Sequence, residues 1–459
     1  MPSSARRHAK SKFVLMGRFD NIHPGLTCEH ARAILATPPQ ELESSSDLYT
    51  AAAHLINCSE PETYSVLIDL IENPSDDQPV RIAKRKAVEV LARLGCREAI
   101  QAIGQCLWSD DQYLVENAVW SLQQLNCQDP ILIDRMLDLL RGQELNQRVL
   151  IQCLASLGVK QSLEVIVTLQ DAAAPGVKSS ALSAVAQLSG DSSRLCEIVD
   201  HLSLPNQMDR QSAIQDLIDA HAIKFLPEIV TAPVSPVFRL RACRKLMAHK
   251  NSEIFDAEFL SMVDAVLKDD PSSIHVLHQY DQLPAPEFLV GDLFHTDFSR
   301  CYLAMKSLHG FCSEMLAPLL MEAWTQKAEN DYGAHYFFLR LFGSRLDWPD
   351  SSVDWICHTV YSSIRNRRPQ FQKSRSMAIL AYHNLCPEVF LDNAHEFLDG
   401  AMSPPWDCRY MTVLCVENLD SIEINRKIDF LAPFLDDLDV FVRERASLSL
   451  LRLMSICSD

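Results

Sequence analysis

Glycine is scarce in this sequence: 13 residues in 459, where average usage of about 7% would supply roughly 32. Phosphate-cradling loops and tight β-hairpins therefore have little to be built from. The familiar catalytic signatures are missing too. There is no Walker loop, no G-x-G-x-x-G fingerprint, no H-E-x-x-H and no G-x-S-x-G nucleophile elbow. No run approaches 18 consecutive apolar residues, so no membrane-spanning helix is expected. Positive charge is short as well: 42 Lys and Arg face 60 Asp and Glu, a formal charge of −18. Such a surface repels a phosphate backbone and argues against nucleic acid as a partner. Fifteen cysteines are present, none spaced as C-x-x-C. Cys153, Cys243 and Cys415 fall at apolar helical positions, which reads as reduced thiols acting as small hydrophobes. A reducing cytoplasm is the expected setting, and neither zinc nor any other metal is expected.

What is present is periodicity. Val80, Ala83, Ala87, Leu91 and Leu94 step by threes and fours, marking one face of a helix, and Ala99 to Leu107 reads as a second helix. The same frame returns at Leu125, Leu157, Leu188 and Ala220, each 31 or 32 residues on. Near the other end Arg375, Ala378, Tyr382 and Leu385 align with Arg409, Thr412, Val416 and Leu419, then with Arg443, Ala446, Leu450 and Leu453. The step there is 34. Asp and Pro punctuate the junctions, suiting the first turns of helices. A single helix pair cannot bury its own apolar stripe, but a stack of pairs can. The predicted fold is all-α, a right-handed HEAT-like helical-repeat solenoid with a curved concave face. Residues 1–15 read as a disordered basic extension and 16–459 as one array. Regular repeats span about 76–250 and 366–459, and a less regular, aromatic- and histidine-rich centre lies at about 251–350. A binding pocket is expected there, roughly over 270–345.

Three segments carry a narrower likeness. They are Arg18-Phe19-Asp20-Asn21-Ile22-His23-Pro24-Gly25-Leu26 with the nearby Asp47 to Leu55, the run Arg81 to Leu94, and Asp331-Tyr332-Gly333-Ala334-His335-Tyr336-Phe337-Phe338-Leu339-Arg340. With the repeats, these resemble the E/F-type HEAT-repeat phycobilin lyases of cyanobacteria, in particular the single-chain phycoerythrin branch. The resemblance implies a lyase that attaches phycoerythrobilin to a cysteine of a phycoerythrin α subunit. The bilin would be substrate, with no separate cofactor. Some relatives isomerise the bilin to phycourobilin as they attach it, which is one alternative; a non-catalytic adaptor or chaperone of phycobiliproteins is another.

That chemistry sets requirements for residues. Two propionates need Arg or Lys, conjugated rings need aromatic or apolar walls, and protonating the chromophore needs a carboxyl or phenol. If 331–340 were one helix, Asp331, His335 and Phe338 would share one row, and Tyr332, Tyr336 and Arg340 another. Asp331, Tyr332 and His335 are therefore candidate acid–base groups, and Tyr336 and Arg340 candidate binding groups. The plainer reading makes Asp331 a helix cap ahead of an aromatic core helix. Tyr280 and Asp281, preceded by His275 and His278, form a second candidate acid site, with a helix-ending turn as the plainer reading. Asp297, Arg300 and Tyr302 form a third cluster, of which Asp297 and Arg300 are candidate binding residues. Arg81, Lys84 and Arg85 are candidate propionate or partner contacts, with a solvated or repeat-stabilising role as the alternative. Among the thiols Cys96, between Arg93 and Arg97, has the most basic surroundings, yet it reads as a core or surface thiol.

Overall fold

The computed structural model describes residues 25–142, 146–248, 257–398 and 405–458. The basic extension at 1–15 and the motif residues Arg18 to Pro24 lie outside them. Every regular element among the described residues is a helix. The chain divides into two compact units, Met1–Val165 and Ile166–Asp459, and each is described by itself.

The 31–32-residue period has a backbone cause. In the first unit Leu94, Leu125 and Leu157 cap the C-termini of helices Gln78–Arg93, Gln112–Gln124 and Gln147–Ser156. The residue after each cap, Gly95, Asn126 or Gly158, takes positive φ. The amides of Cys96, Cys127 and Val159 then reach back to the carbonyls of Leu91, Leu122 and Leu154, all at 3.0 Å. This is a Schellman closure, which favours Gly and tolerates Asn. Gly190 and His221 hold the corresponding left-handed positions in the second unit. Gly95, Gly158 and Gly190 thus stand where the chain leaves a helix.

Between neighbouring helices of the first unit, Ser121 Oγ donates to the Val88 carbonyl at 3.1 Å and Asn117 Nδ2 to that of Arg85 at 3.2 Å. A disulfide joins Cys28 to Cys58, 30 residues apart, while Cys153, Cys243 and Cys415 are buried free thiols as expected. Helix Cys28–Ala36 begins beside the turn that follows helix Asp47–His54, and this tertiary meeting leaves no short C-x-x-C trace.

The second unit departs from a plain row of pairs. Its last helices, Gln372–Leu385, Trp406–Glu417 and Val440–Ser458, do stack in sequence order. Helix Ala257–Lys268, however, packs across Gln372–Leu385 and Trp406–Glu417. Asp264 on that helix accepts from Tyr410 at 2.8 Å and from Arg445 at 3.0 Å. Phe259 lies 6.0 Å from Phe441, and Arg244 pairs with Asp439 at 2.9 Å. The irregular centre is irregular because it is a hub contacting repeats far along the chain. Tyr302, Tyr336, Phe337 and Phe338 are buried in it.

Candidate functional site

Helix Ala334–Phe342 begins three residues later than a continuous 331–340 helix would. Asp331 and Tyr332 therefore precede it, and the two expected side-chain rows do not form. Asp331 Oδ1 accepts the amides of Gly333 and Ala334, both at 2.9 Å, as a cap does. Tyr332 is exposed, with the Lys373 ammonium 3.8 Å from its ring centroid. His335 is 1% exposed and lies between Trp324 and Phe371, with ring centroids 4.9 and 4.5 Å away. Burial, reinforced by Arg368 and Lys373, brings its imidazole down to about 4, so it is neutral at pH 7.

Tyr336 and Arg340 point into a polar assembly that sequence periodicity gave no sign of. At its centre is Asp269, fully buried and with φ of 46° just after helix Ala257–Lys268. Its carboxylate accepts from Arg239 at 2.6 Å, from Tyr302 at 2.8 Å and from Tyr336 at 2.7 Å. Its carbonyl accepts from Arg340 Nε at 3.1 Å. Burial, and then the Asp269 charge, hold the Tyr336 phenol well above its ordinary value, so it stays a proton donor.

The other candidates form two neighbouring knots. Tyr280 donates to Asp292 at 2.7 Å, and Arg300 clasps the same carboxylate at 2.9 and 3.1 Å. Asp297 caps helix Phe298–Leu308, pairs with the buried Arg210 and meets His278 at 3.1 Å. Asp281 stands exposed in the bend after Tyr280. In the first unit, Arg85 makes a two-pronged contact with Asp111 at 2.9 and 2.8 Å, and Arg81 approaches the same carboxylate at 3.5 Å. Lys84 donates to the Asn73 carbonyl. Asp111, 4% exposed, caps helix Gln112–Gln124, so this basic run braces one helix against the next.

Of all these candidates Arg340 lines a large cavity in the second unit, of about 810 Å3. That volume is in the range of small-molecule sites. Five helices end at it: Lys268 is the last residue of its helix, His309, Gly343 and Asn418 are C-caps, and His383 and Asn384 lie in a last turn. Helix C-termini carry partial negative charge, and Asp270, Glu388 and Asp420 add carboxylates. Lys268 and Arg340 are its cations, with Arg340 Nη2 4.0 Å from Asp270. Leu346, Leu380, Leu414 and Leu419 provide apolar wall. Although burial works against it, hydrogen bonds from Ser272 and the charge of Arg340 hold the Asp270 carboxyl below its ordinary value. Burial, then Arg345 and Arg340, lower His309. His383 Nε2 is buried without a hydrogen-bond partner among the described residues, a polar atom on a cavity wall that a ligand would satisfy. Sequence reasoning missed Lys268, Asp270, His309 and His383. The Asp269-Asp270-Pro271 junction was the sole local signal, and it reads as an ordinary helix boundary.

No family model matches the sequence. The bilin biosynthesis protein CpeY of Synechococcus sp. (strain WH8020) is 49% identical over 412 residues, covering 89% of this chain and 98% of that protein. The uncharacterized phycocyanin operon protein Y of Pseudanabaena tenuis (strain PCC 7409) is 33% identical over 399 residues, 85% of this chain and 92% of that one. Among solved structures, the complex of CpcE and CpcF of phycocyanin lyase from Nostoc sp. PCC7120 aligns over 58% of this chain and 100% of that one, with 22% identity and a TM-score of 0.47. Importin beta aligns over 93% of this chain and 66% of its own, at 12% identity and a TM-score of 0.36. With nearly the whole of CpeY matched at close to half its residues, this chain belongs to the CpeY family of bilin biosynthesis proteins, the phycobilin lyase family that its motifs resemble.

Proposed function

We propose that this protein is a lyase that attaches phycoerythrobilin through a thioether bond to a cysteine of a phycoerythrin α subunit. The observation that carries this reading is the relationship to CpeY along almost its full length. The groove supplies means suited to the task. Its volume accommodates four linked rings, and Lys268 and Arg340 suit two propionates. The reaction is an addition: the acceptor sulfur bonds to the ethylidene carbon of ring A and its proton ends on the ring, with no net oxidation. Protonating the tetrapyrrole withdraws electrons from ring A and favours that attack. A cationic tetrapyrrole is stabilised by the negative ends of five helices and by Asp270. His309 and His383 stand on the same wall as imidazoles able to pass a proton. The acceptor cysteine comes from the partner, so positioning it beside the bound bilin supplies most of the remaining advantage.

Co-expression with a phycoerythrin α subunit and a phycoerythrobilin-producing pathway tests this. The subunit should acquire covalent bilin that survives denaturation. A folded but colourless subunit would contradict the reading and favour an adaptor. An adduct with a shorter conjugated system would show isomerisation to phycourobilin on the same protein.

A further inference from the structure

The bond between Cys28 and Cys58 has a third residue beside it. Both sulfurs and a ring nitrogen of His54 lie within 4.8 Å of one another. A disulfide needs two residues; two thiolates and an imidazole are the ligand set of a zinc ion. Each of the three sits at the end of a helical element. Thr27 caps helix Cys28–Ala36, which makes Cys28 its first residue. His54 is the last residue of helix Asp47–His54, and Cys58 ends the short turn Leu55–Asn57, its amide donating to the Leu55 carbonyl at 3.0 Å. The continuing helical turn carries His54 and Cys58, four residues apart, to one side.

The fold also gathers these residues by means other than the sulfur–sulfur bond. Helices Cys28–Ala36 and Asp47–His54 pack on each other, with Ala31, Ala51 and Ala52 buried. Arg32 Nη1 donates to Glu60 Oε2 at 3.0 Å and to Thr63 Oγ1 at 3.2 Å, tying the first of these helices to the start of helix Pro61–Glu72. The two cysteines have Cα atoms 5.8 Å apart, so opened thiols stay neighbours. Side-chain rotation then suffices to set three ligand atoms at the separations of about 3.5–3.8 Å found around a tetrahedral zinc. Charge balances as well. Two thiolates cancel the two charges of the ion, and a neutral site suits Cys58, which is fully buried. Cys28 is partly exposed, which gives a reductant and an ion a way in.

We propose that Cys28, His54 and Cys58 form a redox-gated zinc site. In the oxidised chain the sulfurs are bonded to each other; in the reduced chain they and the imidazole hold Zn2+, with water as the fourth ligand. A cellular dithiol supplies the two electrons and two protons that turn the disulfide into two thiols, and leaves as its own disulfide. Zinc then displaces both protons to solvent. In either state helix Cys28–Ala36, nine residues long and too short to persist unaided, is tied to the element that follows it. The inference does not rest on the bilin reading.

Titration of the full chain with Co2+, a spectroscopic stand-in for zinc, tests this. The chain is reduced with dithiothreitol and desalted under argon. It should bind one equivalent of Co2+ with a thiolate-to-cobalt charge-transfer band, and Zn2+ should displace it. Protein in which peptide mass spectrometry finds the 28–58 disulfide intact should lack the band, a control that needs no substitution. His54→Ala leaves that disulfide able to form and should bind Co2+ at least tenfold (roughly) more weakly, since even outer-shell partners of a metal have effects of that size. Cys28→Ser/Cys58→Ser, with unchanged circular dichroism, should lose the band. No thiolate band in the reduced chain, an equal band with the disulfide intact, or unchanged affinity in either variant, the mark of an adventitious ion only, would overturn the proposal.

Discussion

Arginine meets aspartate in both units, under different conditions. In the first, Asp111 gathers Arg81 and Arg85 from the adjacent helix of a regular row, and both guanidiniums stay partly in water. In the second, Asp269 gathers Arg239, Tyr302 and Tyr336 from separate parts of the chain and is fully buried. The first arrangement repeats with the helices and consumes the charges it uses. The second fixes the end of helix Ala257–Lys268 from below and holds Arg340 by a backbone carbonyl, leaving that guanidinium at the groove. Basic residues in a regular array are thus more often braces, whereas a buried hub can present one of them outward.

The sharpest way to break this contrast is Asp269→Asn, which keeps a residue tolerant of positive φ but leaves Arg239 buried without its counter-charge. A loss of about 3–5 kcal/mol is expected in urea unfolding. A loss below about 1 kcal/mol would show that the hub does not depend on that carboxylate. Next in size is a pH effect. His335 titrates at about 4 in the fold and near 6.5 when unfolded. A depressed folded value means its contribution is complete above about 6.5 and is lost as pH falls toward 4, by roughly 3 kcal/mol. Stability curves of the protein and of His335→Phe should diverge across that window, and parallel curves would remove His335 as the cause.

In the first unit, Asp111→Ala loses a cap and two arginine contacts, and about 2 kcal/mol is expected from thermal unfolding. Arg81→Ala removes the longer and more exposed contact and should cost no more than about 1 kcal/mol. If Arg81→Ala proved as damaging as Asp269→Asn, the distinction between brace and hub would fail.

Much of the fold could be read from spacing, because each period ends on the same backbone event. Leu94, Leu125 and Leu157 sit at caps whose next residue must turn left-handed, and Gly95, Asn126 and Gly158 are suited to that turn. Arg375, Arg409 and Arg443 step by 34 because each lies near the start of a stacked helix; Arg375 and Arg443 donate back to the Ile364 and Asp437 carbonyls preceding it. The sites were much less legible. The groove is assembled from helix ends between Lys268 and Ser421, and no periodic rule links residues so far apart. Arg340, which lines the groove, belongs to the 331–340 motif, while Tyr336, one turn earlier, faces the hub instead. Asp331 and Asp297 stood out as acids, but an acid just before a helix is also what a cap looks like, and both cap helices here.

Titration of phycoerythrobilin into the protein and into Lys268→Ala/Arg340→Ala, followed by absorbance, addresses the groove most directly. The unaltered protein should bind the bilin saturably with a changed spectrum. The double variant, with helicity intact, should bind at least tenfold (roughly) more weakly, as expected when two charged contacts to carboxylates are removed. Equal affinity and the same spectral change in both proteins would contradict the assignment of the bilin to the groove at Arg340.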